Sequence, residues 1–342
     1  AEMGLLFRKG TALEALARAD TVVLDKTGTL TRGKPTLVRV LPFGLSQEEA
    51  LRLAAALERG SEHPLAKAVL EAAESLPQAQ AEEVRALPGE GVEGRVEGRR
   101  LHLGGPALME RLGVPLPEEA KALPEEGYTP LYLVEGTRLL AAFAVFDPPR
   151  PEAQEAVAAL KALGLKLVLL TGDHPAPARR VAEALGIPEV LAGVRPEGKV
   201  EAIRRLQAEG RKVVFVGDGI NDAAALAQAD VGLAMGSGTD IALEAGDVVL
   251  LTPDLRGVVN AVRLARRTLR TIYLNFFWAY AYNVVLIPVA AGALYPFTGL
   301  LLNPMLAAAA MSLSSLFVLT NSLRLRAFRP QALPSLNPAA SS

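Results

Sequence analysis

The sequence contains no cysteine, few aromatic residues and no excess of basic charge. The absence of cysteine excludes disulfide bonds, thiolate nucleophiles and thiolate metal sites within these 342 residues. The net charge of −1 excludes nucleic-acid binding through bulk basicity. Aromatic residues make up only 5% of the chain but hydrophobic residues make up 50%, so the chain can bury a sizeable core and is not a disordered sequence. The length predicts about two domains.

Acidic residues are missing from the whole segment after Asp254, whereas eight arginines follow it. Within that segment, residues 271–323 carry no charge at all, which is long enough for two membrane spans of about 20 residues each and a turn. Pro and Gly predict the turn at 295–299, and arginines flank both ends, so both ends are expected to face the cytoplasm. We therefore predict a transmembrane helical hairpin. The alternative is a buried hairpin of a soluble protein.

Polar side chains inside the predicted spans are few. Tyr282 and Asn283 precede Pro288, which removes a backbone hydrogen bond from the first span. Met311 and Ser315 lie four residues apart, hence on one face of the second span. A polar side chain in hydrocarbon is costly without a partner, so these residues are candidates for a functional site. The residues themselves leave open the alternative that they only pack the helices together.

Three short apolar runs in the soluble part each end in an acidic residue or lead into a glycine-containing acidic loop. They cover residues 20–25, 165–170 and 212–216, and helical patterns fill the gaps. This alternation predicts a parallel, doubly wound α/β sheet with its chemistry at the carboxyl ends of the strands. Residues 36–140 change to helices followed by short strands with Gly-rich turns, which predicts an inserted α+β domain. The predicted divisions are 1–35 (linker helix and first part of the α/β domain), 36–140 (insertion), 141–255 (rest of the α/β domain), 256–328 (hairpin with basic flanks) and 329–342 (tail).

The residues at the three strand ends match the parts that a phosphoryl-transfer site requires. Asp25 can attack phosphorus, and its carboxylate and that of Asp218 can hold Mg²⁺. Thr171 and Lys199 can bind the transferred phosphoryl group. Two further candidates for orienting the metal shell stand at the next helix start, Asn221 and Asp222. Each carboxylate alone is more simply a loop or helix cap, but capping explains poorly why three strands share the pattern.

The residue two positions after Asp25 bears on how long a phosphorylated form would last. Simple phosphatases built on this plan place a second aspartate there as general acid and base, which hydrolyses the acyl phosphate quickly. Here that position is Thr27. Without a resident acid and base, an aspartyl phosphate is expected to persist long enough to drive a conformational step, which suits a pump better than a hydrolase.

Three motifs carry a resemblance to a known family. The stretches Asp25-Lys-Thr-Gly-Thr-Leu-Thr31, Thr171-Gly-Asp173 and Gly217-Asp-Gly-Ile-Asn-Asp222 resemble the signature motifs of P-type ATPases, whose phosphorylation domain has the haloacid-dehalogenase fold. The resemblance implies ATP and Mg²⁺ as cofactors. It assigns catalytic roles to Asp25, Lys26, Thr27, Thr171, Gly172, Asp173, Lys199, Asn221 and Asp222. It assigns the Mg²⁺ site to Asp25, Thr27, Asp218 and Asp222.

A further group of residues resembles the nucleotide-binding domain of the heavy-metal class of these ATPases. It consists of Ser61-Glu-His-Pro64 and the glycines of Gly89-x-Gly91-x-x-Gly94. The resemblance implies that four residues contact ATP: Glu62, His63, Gly89 and Gly91. We reject a dinucleotide-binding loop because these glycines do not follow a strand that enters a crossover helix.

The predicted spans resemble the copper(I)-transporting branch of that class. Zinc-type members would be expected to carry a Lys and an Asp in the corresponding helices, and residues 271–323 have neither. A soft thioether suits Cu(I) or Ag(I) on coordination grounds. The resemblance implies four ligands for the transported ion: Tyr282, Asn283, Met311 and Ser315. It also implies ATP-driven export through an aspartyl phosphate, a multi-pass location in the cell inner membrane with cytoplasmic soluble domains, and a copper chaperone as a partner.

The Cys-Pro-Cys site, the actuator domain and the earlier spans of such a pump are not found in these residues. We therefore expect the chain to be the C-terminal portion of a pump, acting with the missing N-terminal part. Three positions depart from the family pattern: Gly105, His174 and Ala224. The alternatives are a membrane-tethered phosphatase of the same fold, a P-type ATPase for another heavy metal such as zinc, and a non-catalytic nucleotide-sensing fragment.

Overall fold

A computed structural model of the chain describes residues 4–219, 222–236 and 246–290, and five positions between 312 and 320. Along the described chain the strands are β1 (Leu5–Phe7), β2 (Thr21–Asp25), β3 (Thr36–Pro42), β4 (Ala81–Leu87), β5 (Gly91–Val96), β6 (Arg99–Gly104), β7 (Thr129–Glu135), β8 (Arg138–Phe146), β9 (Lys166–Leu170), β10 (Glu189–Leu191), β11 (Val213–Asp218), β12 (Val231–Met235) and β13 (Val248–Leu250). The helices are α1 (Gly10–Arg18), α2 (Gln47–Glu58), α3 (Pro64–Ala72), α4 (Pro106–Leu112), α5 (Glu118–Lys121), α6 (Ala153–Ala162), α7 (Pro175–Leu185), α8 (Gly198–Ala208), α9 (Ala223–Gln228) and α10 (Arg256–Ala290).

The first sheet contains the three apolar runs as β2, β9 and β11. Its seven strands lie in the order β1-β13-β12-β11-β2-β9-β10, and all neighbours are parallel except β1 and β13. Side chains alternate between the faces of a strand, and in β2 both faces are covered. Val22 and Leu24 belong to a core with α1, α6, α7 and α10, whereas Val23 packs with α8 and α9. The predicted doubly wound α/β fold is confirmed.

Residues 36–146 form a second, antiparallel sheet in the order β3-β8-β7-β6-β5-β4. Helices α2 and α3 cover one face of it, where Leu53 and Val69 are buried. Helices α4 and α5 cover the other face, where Met109 and Ala120 are buried. The predicted α+β insertion is therefore confirmed. We call residues 36–146 the inserted domain and the part that carries the first sheet the parallel-sheet domain.

Two adjacent chain crossings join the two domains. The chain enters the inserted domain after Thr31 and leaves it at Asp147, and these two residues meet, because Thr31 Oγ1 donates to Asp147 Oδ2 at 2.6 Å. A single antiparallel bridge pairs Thr31 with Pro149. Prolines stand at both crossings, Pro35 at the first and Pro148, Pro149 and Pro151 at the second, and together the two crossings form a two-strand hinge.

Helix α10 joins two different environments over its 35 residues. Val258, Val259 and Val262 are buried in the core of the parallel-sheet domain. Beyond Arg270 the large apolar side chains are exposed, Phe276 by 69%. The stretch Arg256–Val289 is long and apolar enough to cross a membrane. The first predicted span therefore continues, without a break, a helical segment that packs on the parallel-sheet domain, whereas most of the second predicted span lies outside the described residues.

Candidate active site

The carboxyl ends of β9, β2 and β11 lie side by side, because these strands are neighbours in the parallel sheet. This arrangement brings together Asp25 at the end of β2, Thr171 after β9 and Asp218 at the end of β11. Asp25 is 5% exposed and Thr171 is 1% exposed, whereas Asp218 is half-buried. The strand ends that carried the motifs therefore converge at one edge of the sheet.

Lys199, near the start of α8, holds two buried carboxylates together. Its Nζ lies 3.3 Å from Asp25 Oδ2 and 2.9 Å from Asp222 Oδ1. Burial, together with the hydrogen bond and the negative charge of Asp222, raises the pKa of Asp25 to about 8, although Lys199 acts in the opposite direction. Burial works against the charge of Lys199, but the two carboxylates outweigh it and raise the Lys199 pKa. The site therefore combines a buried carboxyl, whose pKa is raised to about 8, with a cation held in place beside it.

The turn after β2 places the residues of the first motif. Gly28 adopts φ +81°, a left-handed conformation that a residue with a Cβ would adopt only with strain, and its N–H donates to Thr31 Oγ1 at 3.3 Å. Lys26 points back across the sheet, where its Nζ donates to Asp173 Oδ2. Thr27 is exposed at the rim. The turn thus places Lys26 directly after Asp25 and anchors it on the loop that follows β9.

The end of β11 positions Asp222 through backbone contacts. The N–H of Asp218 donates to Asp222 Oδ2 at 3.1 Å, and the N–H of Asp222 donates to the carbonyl of Asp218 at 3.0 Å. A Cβ at Gly217 would lie 2.7 Å from Asp222 Oδ2 and 2.5 Å from the Phe215 ring, so only glycine lets the carboxylate approach this closely. The predicted site residue Asn221 lies outside the described residues.

The donor atoms of this site suit a hard divalent cation. Asp25 and Asp222 hydrogen-bond to each other, and Asp218 ends the neighbouring strand. All three offer carboxylate oxygens, which Mg²⁺ prefers, and a dication between two buried carboxylates would offset the burial and the negative charge of Asp222, which both raise the Asp25 pKa. Over the described ranges no three His, Cys, Asp or Glu side chains lie close enough together to hold a metal ion by themselves. A bound Mg²⁺ would therefore also take oxygen atoms from substrate or water.

A cavity of about 1170 Å³ opens between the inserted domain and the strand ends. The parallel-sheet domain contributes Gly172, Asp173 and His174 to its lining. The volume is sufficient for a nucleotide, since pockets for ligands of that size occupy about 300–1,000 Å³. The inserted domain contributes most of the other lining residues, among them Glu58, His63, Val84, Gly89, Gly91, Leu103, Gly104 and Gly105.

Two glycines on paired strands form part of the cavity lining. Gly91 of β5 is opposite Gly104 of β6, and Gly91 adopts φ +150°. A Cβ on Gly91 would lie 2.1 Å from the carbonyl oxygen of Leu103, and one on Gly104 would lie 2.2 Å from that of Glu90. Glycine is required at both positions because a Cβ would collide with the paired strand, and both residues therefore line the cavity with backbone alone.

Glu62 is not among the residues that line the cavity, although its exposed neighbours Ser61 and His63 are. Glu58, at the end of α2, lines the cavity instead and is 8% exposed. Burial raises the pKa of Glu58 to about 7. The motif indicated Glu62, and no local sequence signal singled out Glu58, whose side chain becomes buried only when α2 packs against the inserted sheet.

His63 and His174 face the cavity from opposite domains with the same local geometry. Each precedes a proline-initiated helix, α3 or α7, and each accepts through Nδ1 from the N–H two residues later, at 3.2 Å. The proton of each neutral ring is therefore on Nε2, which can donate to a ligand. Two residues that depart from the family pattern, Gly105 and His174, thus both lie at the cavity.

Residues 19–230 match the haloacid dehalogenase-like hydrolase family, and this stretch contains all the strand ends described above. The chain belongs to that family. The family assignment agrees with a buried aspartate at the end of a central parallel strand and with an insertion directly after it.

This haloacid dehalogenase-like hydrolase is similar to P-type ATPases over nearly its whole length. The chain is 50% identical over 336 residues to copper-transporting ATPase 1 of Rhizobium meliloti (strain 1021). The alignment covers 96% of this chain and 41% of that relative. The chain therefore spans less than half the length of that relative. The resemblance to P-type ATPases of the heavy-metal class is confirmed.

Solved structures give the same comparison in three dimensions. A zinc-transporting PIB-type ATPase in the E2.Pi state superimposes with a TM-score of 0.71 at 39% identity, covering 94% of this chain and 52% of that chain. The catalytic domain of the CPx-ATPase CopB-B, studied for its conformational changes on nucleotide binding, superimposes with a TM-score of 0.61 at 29% identity and covers 76% of this chain and 96% of that one. The hydrolase fold and its insertion thus resemble those of heavy-metal P-type ATPases.

The candidate transport residues are only partly within the described chain. Tyr282 and Asn283 lie on the exposed, apolar part of α10, before Pro288. Met311 and Ser315 lie outside the described residues. Their contribution to a common site is therefore treated below as a proposal.

Proposed function

We propose that this hydrolase is the catalytic part of an ATP-driven export pump for Cu(I) or Ag(I), in which Asp25 becomes transiently phosphorylated. The observation that carries the proposal is the buried Asp25, held between Lys199 and Asp222 at the end of β2, beside the strand end whose Gly172 and Asp173 line a cavity of nucleotide size. A buried carboxyl at a strand end with a fixed cation beside it is suited to attack phosphorus and to tolerate the added charge.

The geometry of the strand ends supports the following phosphoryl transfer. An Asp25 oxygen forms a bond to the γ-phosphorus of ATP while the bond to the β,γ-bridging oxygen breaks, and ADP leaves with the electron pair of that bond. Lys199 compensates the charge on the transferred group, and the Thr171 hydroxyl is positioned to donate to one of its oxygens. Mg²⁺, when held by Asp25, Asp218 and Asp222, supplies positive charge to the phosphate oxygens.

Residues of the turn and of the second strand end support this transfer. Lys26 is fixed by Asp173, which joins the turn after β2 to the loop that contains Gly172. The backbone N–H of Asp173 donates to Thr171 Oγ1 at 3.1 Å, so that hydroxyl keeps its own proton for a ligand. Thr27 offers no carboxylate to activate water. An aspartyl phosphate formed here would therefore persist long enough to drive a conformational step.

The inserted domain is proposed to hold the rest of the nucleotide. Gly89 and Gly91 allow close backbone contact, and His63 offers its Nε2 proton. Glu58 lies at the apolar part of the lining formed by residues such as Leu103, where a carboxyl can hydrogen-bond to the polar edge of a nucleobase. The fold similarity to a domain studied on nucleotide binding supports the assignment.

The choice of Cu(I) or Ag(I) rests on coordination chemistry and on relatives. The relative with 50% identity is named a copper-transporting ATPase, whereas one structural neighbour transports zinc. The thioether of Met311 with the polar side chains Tyr282, Asn283 and Ser315 suits a soft monovalent ion. We place α10 in a lipid membrane as one of several spans, with both domains in the cytoplasm, and expect the N-terminal part of the pump and a copper chaperone as partners.

The first test is labelling with ATP carrying a radioactive γ-phosphate in the presence of Mg²⁺. Label should appear on the wild-type chain, be released by hydroxylamine as an acyl phosphate, and be absent from Asp25→Asn. The matched control is Glu71→Gln, an exposed carboxylate on α3 that should label normally. Equal labelling of Asp25→Asn would refute the assignment, and rapid release of phosphate without label would favour a phosphatase.

The second test identifies the transported ion. In the intact pump, Cu(I) and Ag(I) should stimulate ATP hydrolysis, and Met311→Ile should weaken that stimulation without preventing basal labelling of Asp25. Stimulation by Zn²⁺ but not by Cu(I) would reverse the choice of metal while leaving the phosphorylation proposal intact.

A further inference from the structure

Arg150 makes hydrogen bonds to two segments that lie far from it in the chain. Its Nε donates to the carbonyl of Thr29 at 2.8 Å, and its Nη2 donates to that of Gly28 at 3.2 Å. Its Nη1 donates to the carbonyl of Pro253 at 3.2 Å, three residues before α10. One guanidinium in the hinge therefore contacts both the turn after β2 and the start of α10.

The same hinge segment makes further contacts with these two regions. The backbone N–H of Arg150 donates to the carbonyl of Leu30 at 2.9 Å, at the end of the turn. The N–H of Leu255 donates to the buried carboxylate of Glu152 at 3.4 Å. Leu30, Leu255 and Val258 belong to one apolar core. We call Arg150 and Glu152, with these partners, the hinge clasp.

We propose that the hinge clasp transmits changes in the turn after Asp25 to α10, with Arg150 as the positioning residue. The inference rests on the proposed function, because phosphorylation of Asp25 is the event that would displace the turn. A phosphoryl group adds charge and three acceptor oxygens directly beside that turn. The carbonyls of Gly28 and Thr29 are part of the turn, so any readjustment of its backbone moves two of the acceptors that hold Arg150.

The shape of the guanidinium explains how the displacement can reach α10. Its N–H groups are fixed in one plane, so movement of the two carbonyls on one side turns the plane and shifts the third donor, which holds Pro253. Pro253 and Leu255 lead directly into the buried part of α10, whose other end is exposed and apolar. The clasp is therefore a contiguous chain of contacts from the turn beside the phosphorylated carboxyl to the predicted span.

A lysine at this position could not perform the same role, although it keeps the charge. Its single nitrogen can reach one or two of the three carbonyls but cannot hold them in a fixed plane. Arg150→Lys should therefore preserve the fold and weaken the coupling. Arg150→Gln removes the charge as well and should weaken it further.

The experiment uses Trp278, the single tryptophan of the chain, as a reporter on the exposed part of α10. The whole chain in lipid nanodiscs is mixed with Mg²⁺ and ATP labelled in the γ-phosphate, and tryptophan emission is recorded with the amount of label on Asp25. We expect a change of emission in the wild type when Asp25 is labelled. In Arg150→Lys and Arg150→Gln we expect labelling within about twofold of wild type but an emission change reduced about fourfold or more.

The matched control is Arg39→Gln, because Arg39 is an exposed arginine of the inserted domain whose partner is Glu126 at 3.2 Å. It should keep both labelling and the emission change, and thermal melting of all variants checks the fold. A full emission change in a labelled, folded Arg150→Gln variant would overturn the proposal that the hinge clasp couples the turn to α10. Loss of labelling in a folded Arg150→Lys variant would overturn it as well, because Arg150 would then act in phosphorylation itself. No label on the wild type refutes the proposed function instead, so the two failures are distinguishable.

Discussion

Lys26 donates to Asp173 across the ends of two neighbouring strands, although 147 residues separate them in the chain. The side chain of Lys26 is 6% exposed and that of Asp173 is 32% exposed, so the lysine depends on this partner more than the aspartate does. The ion pair ties the turn after Asp25 to the loop after β9. It holds two of the three motifs in register without contributing an atom to the proposed bond-forming step.

Removing the partner of Lys26 should destabilise the parallel-sheet domain. Asp173→Asn leaves a buried ammonium without its counter-charge, and we expect a loss of about 1–3 kcal/mol in the free energy of unfolding, below the range for fully buried pairs because Asp173 is partly exposed. Denaturant unfolding measures this. Glu126→Gln, which breaks an exposed pair with Arg39, is the control and should change little. Equal effects of the two substitutions would show that burial of Lys26 does not matter.

The raised pKa of Asp25 predicts a pH-dependent effect of Asp25→Asn. Between the ordinary value of 3.8 and the folded value of about 8, the folded state binds the Asp25 proton more tightly than the unfolded state does. The stability contributed by that proton is complete below pH 3.8 and is lost as pH rises through 8. Without Mg²⁺ and nucleotide, Asp25→Asn should therefore raise the Tm by about 5–10 °C at pH 8.5 and change it little at pH 4. A shift that is the same at both pH values would contradict the assigned cause.

The same pKa predicts how phosphorylation responds to pH and to Mg²⁺. Attack requires the carboxylate form of Asp25, so at low Mg²⁺ the rate of labelling should rise with pH up to about 8. Saturating Mg²⁺ should move this rise to lower pH, because a dication stabilises the ionised form. Initial labelling rates across pH 5.5–9 at two Mg²⁺ concentrations test this. A profile unaffected by Mg²⁺ would place the ion away from Asp25.

Glu58 and Glu62 provide a matched pair for the nucleotide site, because they lie four residues apart and differ in burial. Glu58→Gln should weaken ATP binding by about tenfold, as expected for one lost hydrogen bond in a buried site, whereas Glu62→Gln should leave it unchanged. Calorimetric titration with a non-hydrolysable ATP analogue measures both. The opposite ranking would restore the expectation from the sequence motif.

Gly91 should be intolerant of any side chain. A Cβ there would collide with the backbone carbonyl of Leu103, and φ +150° is strained for other residues. Gly91→Ala should therefore destabilise the inserted domain by about 2 kcal/mol or more and abolish measurable ATP binding. Gly105→Ala lies at the same cavity with nothing within 4 Å of the added Cβ and should be tolerated. Thermal melting and ATP titration of both variants decide the matter.

Local sequence was sufficient for much of the fold. The apolar, β-branched runs that became β2, β9 and β11 are buried on both faces, so their composition already indicated central strands of a parallel sheet. Because parallel strands present their carboxyl ends at one edge, Asp25, Thr171 and Asp218 could be expected together. The change of pattern after Lys34 likewise indicated the insertion.

Other features depend on contacts between distant segments and could not be inferred from local pattern. In the sequence, Glu58 is indistinguishable from an ordinary helix glutamate. Its side chain becomes buried at the cavity only because α2 packs against the inserted sheet. In the sequence, Arg150 is simply a charged residue in a Pro-rich segment. Only the fold brings three backbone carbonyls within hydrogen-bond distance of it, those of Gly28, Thr29 and Pro253.

The sequence by itself determined which strand ends bear the candidate site residues, because motif spacing and strand composition are properties of short segments. Tertiary structure alone decided which glutamate reaches the cavity, which arginine joins the turn to α10, and where α10 leaves the protein core. Those outcomes depend on burial and on hydrogen bonds between residues that are far apart in the chain, more than a hundred positions in the case of Arg150. The hydrophobic periodicity of a short segment carries no information about such contacts.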